Sequence, residues 1–218
     1  EGRGYGTGGS MSSIVFQGGV GTPTFDEAAH AYTFEGKSVP SVTQVMRPIT
    51  QLAYGAIPLE VLRKAAAFGT AVHACTELYD QDDLDPFSVE DDWLPYMAGW
   101  EGFRKDRKPE ILAIELRLAC SKYAGTIDRI MRIDGELWVI DIKTTCELHA
   151  HVGVQLAAYT ALAEKYLGTK ERIRRGAVQL RDDGGYRLRE YTHLNDETCF
   201  AGLLGIFYWG QSHGFNKE

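Results

Sequence analysis

The sequence of 218 residues lacks features that mark several classes of protein. Its four cysteines (Cys75, Cys120, Cys146 and Cys199) are scattered and form no CxxC pair, which argues against a zinc knuckle and a disulfide framework. No apolar run approaches the roughly 18 residues that a membrane span requires, and no secretory signal is evident. We therefore expect a soluble, cytoplasmic protein.

An excess of positive charge is also absent. The chain has 23 basic and 30 acidic residues, a net charge of −7, which excludes a protein that coats nucleic acid through bulk positive charge. The charge is uneven: residues 77–92 hold eight acidic and no basic residues, whereas residues 165–189 hold eight basic and three acidic residues. A charged run is most often a solvated face, but a basic track is also compatible with nucleic-acid binding.

The chain divides into three regions by composition. Residues 1–10 contain five glycines and precede Met11, so we interpret them as an added linker. Residues 11–57 predict a β-rich N-terminal extension with a short helix capped by Ser41. Residues 58–218 form the predicted main domain.

Hydrophobic periodicity in the main domain alternates between helical and strand-like spacing. Helical spacing covers 58–79, 92–105, 149–166 and 195–210, and strand-like spacing covers 110–119, 123–133, 137–143, 172–181 and 186–191. Gly69 in the first helical pattern indicates either a break or a close packing contact. The central order α-β-β-β-α-β predicts an α/β fold with a mixed central sheet flanked by helices.

Two acidic residues and a lysine converge in the predicted strands. Asp141 and Lys143 project from the same face of a strand, either as a structural salt bridge or as a catalytic pair. The turn signal Asp134-Gly135 places Asp128 opposite Asp141 in a hairpin. Facing carboxylates repel unless a cation lies between them, and oxygen ligands suit Mg²⁺ or Mn²⁺. With Lys143 beside them, the arrangement predicts a site for metal-dependent hydrolysis.

Two further pairs of polar residues share a helix face at positions i and i+4. His73 and Glu77 follow Gly69, where the missing side chain permits close approach to the sheet. His73 is therefore either a packed core histidine or a further metal ligand. Gln155 and Tyr159 are either ordinary packing residues or part of the same site.

Four segments, in this order, carry a family resemblance. They are Gly69-Thr70-Ala71-Val72-His73 with Glu77, Gly125-Thr126-Ile127-Asp128, Asp141-Ile142-Lys143-Thr144-Thr145 and Gln155-Leu156-Ala157-Ala158-Tyr159. The set resembles the PD-(D/E)XK nuclease superfamily, specifically its RecB-type exonuclease branch, and is similar to phage exonucleases and the mitochondrial genome maintenance exonuclease. The resemblance spans residues 69–159 and implies a restriction-endonuclease-like core.

The resemblance also implies a role for each matching residue. The implied metal ligands are His73, Asp128, Asp141 and the carbonyl of Ile142, and the implied catalytic residues are Lys143, Asp141, Asp128, Glu115, Gln155 and Tyr159. Glu77 would either support the metal ligands from behind or position the helix that carries the histidine. The implied cofactor is Mg²⁺ or Mn²⁺. Because only Cys199 lies beyond the core, we expect no iron–sulfur cluster of the kind that some RecB-type nucleases carry.

The basic run at 165–189 is the expected phosphate-contacting surface of such a nuclease. We predict DNA contacts at Arg172, Arg174, Arg175 and Arg181. Adjacent residues of a regular strand point to opposite faces, so only one of Arg174 and Arg175 can face the DNA. The sequence has no phosphate-binding loop of a helicase motor, so a helicase or annealing partner would be a separate chain.

The expected function is that of a Mg²⁺- or Mn²⁺-dependent deoxyribonuclease. The resemblance implies an exonuclease that acts on DNA ends or single strands. The size of the chain and the absence of a motor favour an enzyme of recombination, repair or replication in a phage or a prokaryote. Two alternatives remain at this point: a structure-specific or nicking endonuclease of the same superfamily, and a catalytically idle DNA-binding module. The intact set of His73, Asp128, Asp141 and Lys143 argues against the idle module.

Overall fold

The chain folds around a five-stranded mixed sheet in a computed structural model, which describes residues 19–215. The strands are β1 (Thr24–Asp26), β2 (Ala31–Phe34), β3 (Lys37–Val39), β4 (Glu110–Ala119), β5 (Ala124–Ile133), β6 (Glu136–Lys143), β7 (Ile173–Leu180) and β8 (Tyr186–Glu190). The helices are α1 (Val42–Val45), α2 (Arg47–Tyr54), α3 (Leu59–Asp80), α4 (Leu94–Arg107), α5 (His151–Leu167) and α6 (Asp196–Ser212). The predicted linker at 1–10 lies outside the described residues.

The central sheet has the order β4-β5-β6-β7-β8, in which only β6 and β7 are parallel neighbours. A parallel pair needs a long crossover, and α5 supplies it between these two strands. Helices α3 and α4 pack on one face of the sheet, and α5 and α6 pack on the other. The predicted α/β fold with a mixed sheet flanked by helices is confirmed.

The turn between β5 and β6 fixes the register of their hairpin. Asp134-Gly135 has φ angles of +53° and +82°, the left-handed backbone that a two-residue hairpin turn of this type requires. Arg129 consequently pairs with Ile140, in the register predicted from the turn. Arg129 and Ile140 are the last pair of hydrogen-bonded partners between β5 and β6, so Asp128 and Asp141 lie just beyond the end of this pairing.

Helix α3 is continuous over 22 residues and is not broken at Gly69. A side chain at this position would begin 3.4 Å from the Thr144 Oγ1, just after β6. Gly69 therefore marks a close contact between the helix and the end of the strand, which was one of the two predicted alternatives. The contact brings His73, one turn further along α3, to the end of β6.

The aromatic stripe of α4 is buried against the sheet. Met97, Trp100 and Phe103 are almost fully buried in one cluster with Ile140 and Ile142 of β6. Burying each of these side chains contributes about 1.5–3 kcal/mol. This packing fixes the position of the strand that ends in the candidate site. Among residues 19–215, no helix is both long and apolar enough to cross a lipid bilayer.

The N-terminal strands form a second, three-stranded antiparallel sheet with the order β1-β2-β3. Ser41 and Gln44 exchange side-chain to backbone hydrogen bonds at the start of α1, which confirms the predicted helix cap. The hydroxyl groups of Tyr32 and Thr126 lie 2.8 Å apart and connect this sheet to β5. The predicted division at residue 57 stays a prediction.

Candidate active site

The end of β6 carries an acidic residue and a lysine on one face. Asp141 is almost fully buried, and its Oδ2 lies 2.7 Å from the Lys143 Nζ. The side-chain amide of Gln155 on α5 donates hydrogen bonds to Asp141 Oδ1 at 3.0 Å and to the Tyr159 hydroxyl at 3.2 Å. Strand spacing and helix spacing thus bring these four side chains together.

Burial and neighbouring charge decide the protonation of the pair. Burial raises the pKa of Asp141; the Lys143 ammonium opposes this effect, and the Asp128 carboxylate adds to it. Burial alone would lower the pKa of Lys143, but the carboxylates of Asp141 and Asp128 outweigh it and raise that pKa. Lys143 is therefore protonated at neutral pH and supplies a positive charge to the site, not a base.

The backbone of Ile142 connects Asp128 and His73. Its N–H donates to Asp128 Oδ2 at 2.7 Å, and its carbonyl lies 2.8 Å from the His73 Nε2. Because a carbonyl can only accept, the Nε2 of His73 carries the proton in this contact. In the neutral ring the lone pair is then on Nδ1, which lies 3.6 Å from Asp128 Oδ2.

Glu115 of β4 completes an acidic group beside these residues. One ligand atom from each of His73, Glu115 and Asp128 can be chosen so that all lie within 4.8 Å of one another. Glu115 has a φ of +45°, an uncommon backbone conformation for a residue other than glycine. Burial raises the pKa of Glu115 to about 8; Asp128 adds to this rise and Arg129 opposes it. A bound cation would relieve the repulsion between these carboxylates.

A comparison with protein-family models decides the family. The model of the PD-(D/E)XK nuclease superfamily matches residues 88–199, just over half of the chain. The chain belongs to the PD-(D/E)XK nuclease superfamily. A search of curated proteins finds no match. The family match includes Asp128, Asp141 and Lys143 but begins after His73, and membership indicates a nuclease.

Nucleases of the PD-(D/E)XK superfamily typically use divalent metals, and the donor set here fits such an ion. His73, Glu115 and Asp128 offer one imidazole nitrogen and carboxylate oxygens, next to the carbonyl of Ile142. Carboxylate and carbonyl oxygens suit Mg²⁺ or Mn²⁺. Asp141 is not in this group, since its oxygens face Lys143 and Gln155. Its role as a metal ligand stays a prediction, as does that of Ile142.

Arg129 lies beneath the nuclease site and was not singled out from the sequence. It is fully buried and donates from Nε to Asp80 Oδ2 at 2.7 Å and from Nη2 to Thr76 Oγ1 at 3.2 Å, both on α3. Its Nη1 donates to the Asp128 carbonyl at 2.6 Å and to Glu115 Oε1 at 3.3 Å. One guanidinium thus joins the three elements that carry the histidine–carboxylate cluster. The available signal was an arginine directly after Asp128, in a strand that also holds Ile127, Ile130 and Met131.

The four arginines predicted to bind DNA lie on or beside β7. Three of them form ion pairs, Arg174–Glu190 at 2.5 Å, Arg175–Asp196 at 3.4 Å and Arg181–Asp183 at 2.6 Å. Arg174 also stacks over Trp138, whereas Arg175 reaches α6 on the other side of the sheet. The adjacent arginines therefore point to opposite faces. The charge of Arg172 also acts on Glu190, where it adds to the lowering of the pKa that Arg174 causes.

Strand register places part of the basic run far from the candidate site and part of it close by. Arg174 pairs with Trp138 and Gln179 pairs with Lys143, so Arg174 lies about 16 Å along the strand from Lys143. Arg187 of β8 pairs with Gln179, which puts it on the same face as Lys143. Arg187 belongs to the basic run but was not among the predicted contacts. The DNA contacts of the four predicted arginines stay predictions.

Replacing His73 by Ala is expected to weaken Mn²⁺ binding by about 10- to 100-fold, because the cluster loses its nitrogen ligand. Calorimetric titration with Mn²⁺ measures this, and cleavage should recover partly at high Mn²⁺. His213→Ala is the matched control, since His213 is exposed at the end of α6. A lower melting temperature with unchanged Mn²⁺ affinity would show that His73 only packs the core.

Proposed function

We propose that the protein is a Mg²⁺- or Mn²⁺-dependent DNA exonuclease of the RecB-type branch, which hydrolyses phosphodiester bonds at DNA ends or in single strands. The observation that carries this proposal is the cluster of His73, Glu115 and Asp128 beside the Asp141–Lys143 pair. Membership of a nuclease superfamily supports the reaction class. The order of the four sequence segments supports the RecB-type branch.

The proposed roles follow from the contacts of the side chains. His73, Glu115, Asp128, Asp141 and the Ile142 carbonyl would hold the ion, which when bound supplies Lewis-acid catalysis. Lys143 is protonated and stabilises the negative charge that develops on the phosphoryl oxygens. Gln155 orients Asp141 through its hydrogen bond, and Tyr159 in turn accepts from Gln155. The Lys143 side chain is partly exposed, so this is where a phosphate could meet the otherwise buried Asp141–Lys143 pair.

We extend the proposal to the rest of the chain. Residues 58–218 form the nuclease domain and residues 11–57 an N-terminal extension. Arg172, Arg174, Arg175 and Arg181 contribute phosphate contacts outside the metal site. The enzyme acts in recombination, repair or replication in the cytoplasm of a prokaryote or on behalf of a phage, with any helicase or annealing partner on a separate chain.

The distinguishing experiment compares end-labelled linear DNA with covalently closed circular DNA in Mg²⁺, in Mn²⁺ and in EDTA. We expect degradation of the linear DNA alone, with none in EDTA. Cutting of the circle would show that the enzyme is an endonuclease of the same superfamily and not an exonuclease. If the folded protein binds DNA but cuts neither substrate in either metal, it is an idle binding module.

A further inference from the structure

Three aromatic side chains lie together near the end of β6: Tyr54 at the end of α2, His149 before α5 and His151 at its start. The two imidazole rings are stacked, with centroids 5.5 Å apart and planes 16° apart. The Tyr54 ring stands edge-on to both of them, at 5.3 Å from His149 and 5.4 Å from His151. All three side chains are partly exposed, so this aromatic cluster presents ring surface to solvent.

Side chains on β7, on β8 and just after β8 donate hydrogen bonds to the segment 145–149, which leads into α5 and carries His149. Gln179 donates to the Thr145 carbonyl at 2.7 Å, and Arg189 donates to the Leu148 carbonyl at 2.5 Å. The Tyr191 hydroxyl donates to the His149 carbonyl at 3.1 Å. Because three backbone carbonyls of this segment are bonded to the sheet, the rings are held in place before any ligand binds, which lowers the entropic cost of binding.

The aromatic cluster is also close to Lys143. Burial raises the pKa of the Tyr54 hydroxyl, and the Lys143 charge is the strongest influence opposing that rise. Burial lowers the pKa of His151, with contributions from His149 and Lys143, so the His151 ring is mostly neutral at neutral pH. Arg187 lies on the same face of the sheet as Lys143. The cluster therefore combines ring surface with cations, the chemistry that binds single-stranded nucleic acid.

We propose that Tyr54, His149 and His151 form a stacking surface for an unpaired nucleobase next to the phosphodiester at Lys143. The inference rests on the nuclease function proposed above and specifies its substrate. Bases within a duplex are stacked on one another and cannot use this surface. The substrate class is thus a DNA strand with unpaired bases at the cleavage point, either a single strand or an unpaired tail.

The test measures binding of fluorescently labelled oligodeoxythymidylate by anisotropy in EDTA, where no metal-dependent cleavage occurs. An oligonucleotide of the same length with abasic residues has the same phosphates but no bases. We expect Tyr54→Ala and His149→Ala each to weaken binding of oligodeoxythymidylate by about 5- to 100-fold and to leave binding of the abasic strand unchanged. Tyr54→Phe, which keeps the ring, should bind nearly as the parent protein does.

Tyr166→Ala is the matched control, because Tyr166 is 47% exposed in the last turn of α5, at the far end from the aromatic cluster. Melting temperatures of all variants establish that they are folded. If the variants lose the same affinity for both oligonucleotides, or lose affinity for neither, the proposed stacking surface is wrong. The aromatic cluster would then only hold α2 in place.

The result also separates this inference from the proposed function. If the parent protein cuts linear DNA but binds the abasic strand as tightly as oligodeoxythymidylate, the proposed exonuclease function stands and the stacking surface is refuted. A parent protein that neither binds nor cuts any DNA refutes both.

Discussion

Asp141→Asn is expected to reduce DNA cleavage by about 10³-fold or more, a loss typical of removing a group that acts at the reacting centre. The substitution turns the carboxylate that lies 2.7 Å from the Lys143 ammonium into a neutral amide, so the ammonium loses the charge that orients it. The site also loses one of the negative charges that would attract a metal cation. Initial rates on end-labelled linear DNA in Mg²⁺ and Mn²⁺ give the effect directly.

Asn has nearly the shape of Asp and can still accept the hydrogen bond of Gln155, so the fold should survive the substitution. Asp183→Asn is the control, since Asp183 pairs with Arg181 at a half-exposed site beyond β7 and should leave cleavage unchanged. Near-normal turnover by a folded Asp141→Asn protein would remove Asp141 from the catalytic residues.

Arg129→Met should produce the largest loss of stability, about 3–5 kcal/mol in the free energy of unfolding, which is the usual cost of breaking a buried ion pair. The guanidinium and the Asp80 carboxylate are both inaccessible to solvent. Without Arg129, the Asp80 carboxylate keeps the hydrogen bonds from Arg104 and from the indole N–H of Trp100. Chemical denaturation followed by circular dichroism measures the change.

Arg132→Met is the matched control, because Arg132 lies on the same strand but pairs with Glu171 at the surface. Surface ion pairs contribute little, so this variant should unfold at nearly the parent denaturant concentration. The double variant Arg129→Met with Asp80→Asn should recover part of the lost stability, since no unpaired carboxylate remains buried. If Arg129→Met were as stable as Arg132→Met, the buried ion pair would have no energetic importance.

Local patterns in the sequence predict much of the fold because they act over short distances. The turn at Asp134-Gly135 predicts the hairpin register, and the two-residue spacing predicts that Asp141 and Lys143 meet. The four-residue spacing of a helix predicts the contact of Gln155 with Tyr159. In each case the backbone geometry of one element determines which side chains are neighbours.

Contacts between elements distant in the sequence could not be predicted in this way. Arg129 and Asp80 are separated by 49 positions, and Tyr54 and His151 by 97. Periodicity shows which face of an element is buried but not which side chain it meets. The acidic run at 77–92 illustrates the difference: most of it is exposed, as predicted, yet the side chain of Asp80 within it is inaccessible to solvent.

Arg174 shows the same limit for electrostatics. Its positive charge is evident in the sequence, but its bidentate contact with Glu190 depends on the pairing of β7 with β8. A count of charges along the chain cannot reveal this ion pair, which a phosphate bound at Arg174 would have to share or displace.

The letter X in the name PD-(D/E)XK stands for any residue, and in this chain it is Ile142, between Asp141 and Lys143. The contacts of Ile142 show what the position requires. Its side chain is fully buried with the α3 and α4 residues, while only its peptide N–H and carbonyl reach Asp128 and His73. Another aliphatic side chain of similar volume can therefore replace Ile142 without altering the groups that the site contacts, at a packing cost of about 1 kcal/mol. Proline is barred because it has no N–H to give Asp128. The site therefore requires side-chain volume and a peptide N–H and carbonyl at this position, not a side-chain functional group.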